Sequence, residues 1–369
     1  MKKSNILRQR LLNQHILGSG FEKPDDAVRW MTAVQAQDFL ASLWGIGIRV
    51  KNSSESLIEE AIANRNIVRT WLLRGTLHFV AVEDVRWILD LIAPRIIASN
   101  ANFLKKHLQL DNKVFQQSRE VIIEALEGGH HLLRKDLYNR LKSADISISD
   151  MRGLHILHRL ALEGIICFGP RMGKQHTFVL LDEWIPKGNV LNRDNALGEL
   201  VLRYFTSHGP STLQDFRWWS GLTDSDARIG LEKTRSKLLS EDIDDQTYWY
   251  KSKIQDTEDS GPVSQLLPVF DEYIVGYKDR NHLVKGITNI KMELSDFIFN
   301  PTIIVNGEIV GTWKRSFKEG NVNITLNQFK TLNSEDVTAI KEAASSYGKF
   351  MNMPVKTKRV KNGFKNVKP

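Results

Sequence analysis

One cysteine, Cys167, stands in 369 residues, so no intramolecular disulfide can form and a reducing compartment is expected. Between Ile166 and Phe168 it reads as a core thiol. No apolar run approaches the ~20 residues that a bilayer-spanning helix needs. The basic start, Lys2 and Lys3, leads into Asn5, Arg8, Gln9 and Arg10, not into a signal-peptide core, so a cytoplasmic protein off the membrane is expected. No metal signature emerges either. His130-His131, and His155 with His158, lack a third ligand, while Asp271, Glu272, Asp279 and His282 read as a salt network with Lys278 and Arg280. Acidic residues are missing from Val355 onward, where Lys356, Lys358, Arg359, Lys361, Lys365 and Lys368 form a basic strand or tail.

The formal net charge is +8, which suggests a polyanionic partner, with nucleic acid foremost. The length suits two to four domains. Apolar spacing predicts helices near 6–17 and 24–37, the latter opened by Pro24 with Asp25 and Asp26 against the dipole. Residues 39–50 fit either period, and a short helix is favoured. Another helix runs from the cap residues of Ser53-Ser54-Glu55-Ser56 to about Asn64. Residues 67–80 are β-rich around a turn at Arg74-Gly75. Three helices and a hairpin form the pattern of a winged helix.

The pattern recurs. A helical region over 83–104 carries a kink or break at Pro94. Helices over 114–126, 133–141 and 151–163 precede strands at 165–168 and 177–181 about a basic turn with Arg171 and Lys174. A third version has helices over 197–207, 211–219 and 225–237 and a small hairpin about Asp244-Asp245. Trp218-Trp219 and Tyr248-Trp249-Tyr250 read as core or domain contacts. Residues 255–262 read as a linker. Strands follow at 266–270, 301–305, 309–314 and 322–326, with Asn306-Gly307 the strongest short hairpin signal, and then a helix over 334–347. The expected fold class is α+β: winged-helix units over 1–110, 111–192 and 193–255, then a β-rich, barrel-like domain over 262–369.

Two glutamines in Val34-Gln35-Ala36-Gln37-Asp38 fall at the end of the helix expected over 24–37. Residues two apart on a continuous helix diverge, so the pair can share a site only if the helix ends or loosens there.

These five residues resemble a motif of the AlkZ-like winged-helix DNA glycosylases. So do Arg69-Thr70-Trp71 with Arg74-Gly75-Thr76-Leu77-His78, and Leu267 to Tyr273 with Gly276 to Arg280. Gly311-Thr312-Trp313-Lys314-Arg315 completes the set, in the family's order. The resemblance implies three tandem winged helices and a barrel-like domain round a DNA-sized concavity. It implies excision of alkylated bases, bulky adducts or interstrand crosslinks among them, with Gln35 and Gln37 at the catalytic motif.

That chemistry is self-consistent. A purine alkylated at N7 or N3 is already cationic and leaves without a general acid. The enzyme has only to place a water and stabilise an oxocarbenium-like sugar. Two amides offer the acceptors and donors for both tasks, and neither is a strong base. Asp38 is a base or cation stabiliser, or simply a helix cap. His78 touches the lesion or makes a structural hydrogen bond. Arg69, Arg74, Arg171, Lys174, Lys278, Arg280, Lys314 and Arg315 are the candidate phosphate ligands. No Schiff-base nucleophile stands out, so a monofunctional reaction is expected, with no metal and no cofactor. The expected partner is double-stranded DNA with alkylated bases, bound by a monomer. The alternative is a non-catalytic winged-helix DNA binder or regulator, which accounts for charge and repeats and leaves the glutamines unexplained.

Overall fold

Periodicity fixes most of the helices, and caps fix their ends. The structure, a computed structural model, describes residues 3–188, 191–252, 261–284 and 293–360. The first segment comprises α1 (Lys3–Asn13), α2 (Pro24–Met31), β1 (Val34–Gln35), α3 (Phe39–Gly47), α4 (Glu55–Ala63), β2 (Ile67–Trp71) and β3 (Leu77–Ala81). Ser54 caps α4 by accepting from the Leu57 amide. Residues 39–47 are helical, as the apolar face at Leu43 and Trp44 suggested.

The helix expected over 24–37 stops at Met31. Thr32, at φ 68°, turns the chain out of it, and an extended segment follows. Tertiary pairing outweighs helical periodicity here: Val34 and Gln35 pair with Phe79 and His78, and the Ala36 amide donates to the Leu77 carbonyl at 2.7 Å.

α5 (Val85–Leu108) runs through Pro94 without the break the sequence suggested. Its face of Trp87, Ile88, Leu91 and Ile92 is buried, and that contact offsets the hydrogen bond the proline cannot make. Next come α6 (Asn112–Leu126), β4 (Leu132–Leu133), α7 (Arg134–Ser143), α8 (Arg152–Leu162), β5 (Ile166–Met172), β6 (Gln175–Leu180) and α9 (Leu181–Trp184). The two hairpins join edge to edge. Arg69 in β2 pairs with Phe168 in β5, which gives one six-stranded sheet ordered β1-β3-β2-β5-β6-β4.

α10 (Arg193–Ser207), α11 (Leu213–Ser220), α12 (Asp224–Thr234), β7 (Leu239–Ile243) and β8 (Gln246–Tyr250) follow. A reciprocal capping box between Thr212 and Asp215 opens α11. The β7–β8 turn places Asp244 and Asp245 at φ 48° and 60°, the left-handed pair a tight hairpin needs. Trp219, Tyr248, Trp249 and Tyr250 are core residues, whereas Trp218 is 37% exposed.

The C-terminal part holds β9 (Ser264–Leu267), α13 (Glu272–Val275), β10 (Thr302–Val305), β11 (Glu308–Lys318), β12 (Asn321–Gln328), α14 (Ser334–Phe350) and β13 (Val355–Val360). Asn306 and Gly307, at φ 50° and 84°, make the hairpin turn. The barrel-like expectation is corrected: among the described residues this is an open five-stranded sheet ordered β13-β12-β11-β10-β9. β13 lies parallel to β12, a pairing that needs a crossover, and α14 supplies it. Helices cover the apolar face: Ile340, Ala344 and Tyr347 of α14 share a core with Trp44 of α3 and Ile324 of β12. Covered in this way, the sheet does not have to close on itself. Residues 255–260 of the linker expected at 255–262, and Lys361, Lys365 and Lys368 of the tail, lie outside the described residues.

Candidate active site

The run Ala33–Ala36, with β1 at its centre, separates two cores. Ala33 belongs to a core with Trp219 and Phe216, whereas Val34 and Ala36 belong to another with Phe79 and Trp313. Alternation of two therefore turns Ala33 and Gln35 away from the side taken by Val34 and Ala36, and Gln37 follows in a bend. The divergence that a helix would impose on the two glutamines does not arise. Gln35 is 7% exposed and Gln37 is exposed, so one is a wall residue and the other faces solvent.

Gln37 opens on a cavity of about 520 Å³, lined also by Arg69, Trp71, Arg134, Lys174 and His176. Arg134 and Lys174 are exposed on its rim. The site thus sits where the two hairpins meet.

Gln35 is held at both ends. Its main-chain N–H donates to Glu272 Oε1 at 2.8 Å, and its Oε1 lies 3.4 Å from Arg74 Nη2. A guanidinium only donates, which assigns the oxygen to that side and leaves the amide N–H groups of Gln35 for another partner. Gln37 Oε1 lies 3.4 Å from the Leu77 amide. Between them the Ala36 carbonyl accepts from Arg69 Nε and Nη2 at 3.2 and 2.8 Å.

Asp38 caps α3 by accepting from the Ala41 amide at 3.0 Å. His78, the cross-strand partner of Gln35, is fully buried. Its Nδ1 bonds the Thr76 carbonyl at 2.9 Å, and its Nε2 has no partner. Burial, aided by the Arg74 charge, pushes its pKa down to about 4. Burial, with Arg69 and Arg171 nearby, likewise puts His176 at about 4, so both rings are neutral at pH 7.

Several candidate phosphate ligands face inward. Arg69 is 5% exposed, between the Phe168 and Phe39 rings, and burial lowers its pKa to about 10. Arg74 donates to the Trp219 carbonyl. Arg280 is buried on the Ile274 and Lys278 carbonyls at 2.9 and 3.2 Å, again at about 10 by burial. Arg171 pairs with Glu59, and Arg315 with the Tyr347 hydroxyl. Apolar neighbours distant in sequence desolvate these groups, so the phosphate assignment is withdrawn for Arg69, Arg74 and Arg280. Lys174, Lys278 and Lys314 are exposed.

The salt network expected round Asp271 takes another partner, Arg49, at 2.9 and 3.0 Å, with both groups buried. No cluster of potential metal ligands occurs among the described residues. His158 instead bonds the Gly75 carbonyl, and Cys167 is a buried thiol whose pKa burial pushes far up. Sequence reasoning missed the part Glu272 plays. It accepts from the Gln35 amide and from Trp219 Nε1 at 3.0 Å, with His208 Nε2 a longer contact at 3.5 Å. Burial opposes its charge, but His208 first, then His78 and the Gln35 amide, outweigh it and hold the carboxyl below the usual range. His208 is itself pushed down by burial. The signal of Glu272 in the sequence was an acid inside an apolar block.

The class is that of the DNA glycosylases: a family model described as "DNA glycosylase AlkZ-like" matches residues 28–350. A curated relative, an interstrand DNA cross-link repair glycosylase of Streptomyces sahachiroi, is 24% identical over 311 residues, covering 78% of this chain and 81% of its own. The solved structure of the Streptomyces sahachiroi DNA glycosylase AlkZ shares the fold, with a TM-score of 0.77 at 19% identity over 97% of this chain and 99% of that one. The chain belongs to the AlkZ-like DNA glycosylase family.

Proposed function

We propose that this glycosylase hydrolyses the N-glycosidic bond of cationic alkylated bases in double-stranded DNA, interstrand crosslinks included, as the name of the curated relative suggests. The observation that supports the reading is that Gln35 is held in β1 by Glu272 and Arg74, while Gln37, two residues on, opens on a cation-lined cavity. Gln35 donates its amide N–H to a water, and Gln37 accepts from that water through its carbonyl. As the C1′–N bond breaks, its electron pair neutralises the departing base. The water oxygen bonds C1′ and its proton passes to solvent, leaving an abasic site. Amides suffice because a cationic base needs no acid. His78, neutral with a free Nε2, assists by accepting. Asp38 fixes the start of α3 and stands near the developing cation.

Lys174, Lys278 and Lys314 contact phosphates and supply a salt-dependent share of binding. The three helix–hairpin units over 1–110, 111–192 and 193–255 act as tandem winged helices, and 262–369 as the fourth domain. The reaction is monofunctional, needs no metal or cofactor, and is carried out by a monomer in the cytoplasm. The test is base release from a duplex with one N7-methylguanine. Replacing both glutamines by alanine abolishes release and leaves binding intact; release at the original rate rejects the assignment.

A further inference from the structure

Gln35 belongs to a closed ring of four residues. Glu272 accepts from the Gln35 main chain and from the Trp219 indole; Arg74 donates to the Trp219 carbonyl and to the Gln35 side chain. The members come from β1, the β2–β3 turn, α11 and α13, so the ring ties four segments together at the site. Only Glu272 among them is anionic and only Arg74 cationic. Glu272 is 1% exposed, and among the described residues no lysine or arginine lies within ion-pair distance of it, only His208 at 3.5 Å. Burying a carboxylate is costly, so its retention requires a compensating role.

Arg74 creates a difficulty for the chemistry. It lies against the amide that is to stabilise a sugar cation, and a positive charge there opposes that cation. We propose that Glu272 is a positioning residue for excision. It fixes the Gln35 main chain and offsets the charge of Arg74, so that Arg74 orients the amide without repelling the cationic transition state. The inference rests on the glycosidic reading of Gln35.

Full-length variants are compared by single-turnover release from the N7-methylguanine duplex, alongside DNA affinity and thermal unfolding. Glu272→Gln slows release by about tenfold or more, a scale set by one unit charge at reduced dielectric, while affinity and the unfolding transition persist. In an Arg74→Met background the same change costs less than about threefold, because the charge it offset is gone. Equal losses in both backgrounds overturn the proposal. So does wild-type release by Glu272→Gln when Gln35→Ala is slow. Wild-type release by Gln35→Ala instead removes the underlying reading. Should Glu272→Gln fail to fold, Arg74→Met alone decides. Unchanged affinity with a loss below about tenfold fits an internal, offset charge, whereas weakened affinity or a larger loss marks a DNA ligand and refutes it.

Discussion

His78 offers a measurement of how thoroughly the site is desolvated. Its Nδ1 faces the Thr76 carbonyl at 2.9 Å, and a carbonyl only accepts, so the proton sits on Nδ1 and the lone pair on Nε2. Burial and the Arg74 charge take the pKa from 6.5 to about 4. As pH falls below 6.5, unfolded chains take up a proton at this residue while folded ones do not. Stability is therefore complete above pH 6.5, declines as pH drops towards 4, and declines no further from this source below it. The gap corresponds to about 3 kcal/mol for a fully buried group. His78→Asn keeps a donor towards Thr76 and removes the titration. Urea unfolding at steps from pH 7 to 4.5 should show the wild type losing about 2.5 kcal/mol more than the variant. His176 and the other histidines titrate equally in both proteins and cancel in the difference. Imidazole NMR gives the direct check. A His78 resonance titrating near 6.5, or parallel stability curves, would refute the desolvation of this ring.

Two further expectations follow from the same side chains. Asp271→Ala strands the Arg49 guanidinium, 1% exposed and paired at 2.9 Å, and should cost about 3–5 kcal/mol in chemical denaturation. Lys174→Ala should weaken duplex binding evenly across sequences and reduce the salt slope by about one, whereas the inward-facing Arg280 contributes nothing to that slope.

Local signals were legible because local physics decides them. Asn306-Gly307 and Asp244-Asp245 turn where their left-handed backbones require, and Thr212 and Asp215 cap α11 as their types predict. The glutamine motif was visible, but its conformation was not. Met31 and Val34 fit a helical face equally well, and only pairing with Phe79 and His78 makes the segment extended. The partner of Gln35 is Glu272, 237 positions along the chain, and no spacing rule reaches that far. Arginine carries the same limit. Arg69 and Lys174 look alike as basic residues near turns. One is stripped of water by Phe39 and Phe168, which approach it only when two hairpins join.

That joining explains why the site sits where it does. A strand two residues long specifies its register weakly, and a slip by one would carry Gln35 into the core that now holds Val34. Alternation alone discourages the slip, since it would bury an amide in that core. Main-chain bonds on both edges complete the constraint: the Gln35 N–H on Glu272, the Ala36 N–H on Leu77, and the Ala36 carbonyl on Arg69. None of these uses a glutamine side chain. The backbone between the two cores is therefore fixed largely by main-chain bonds to the buried groups of Glu272 and Arg69 and to Leu77. Arg69, the only one of the three groups supplied by the edge where the hairpins meet, ties that junction to the carbonyl between the glutamines.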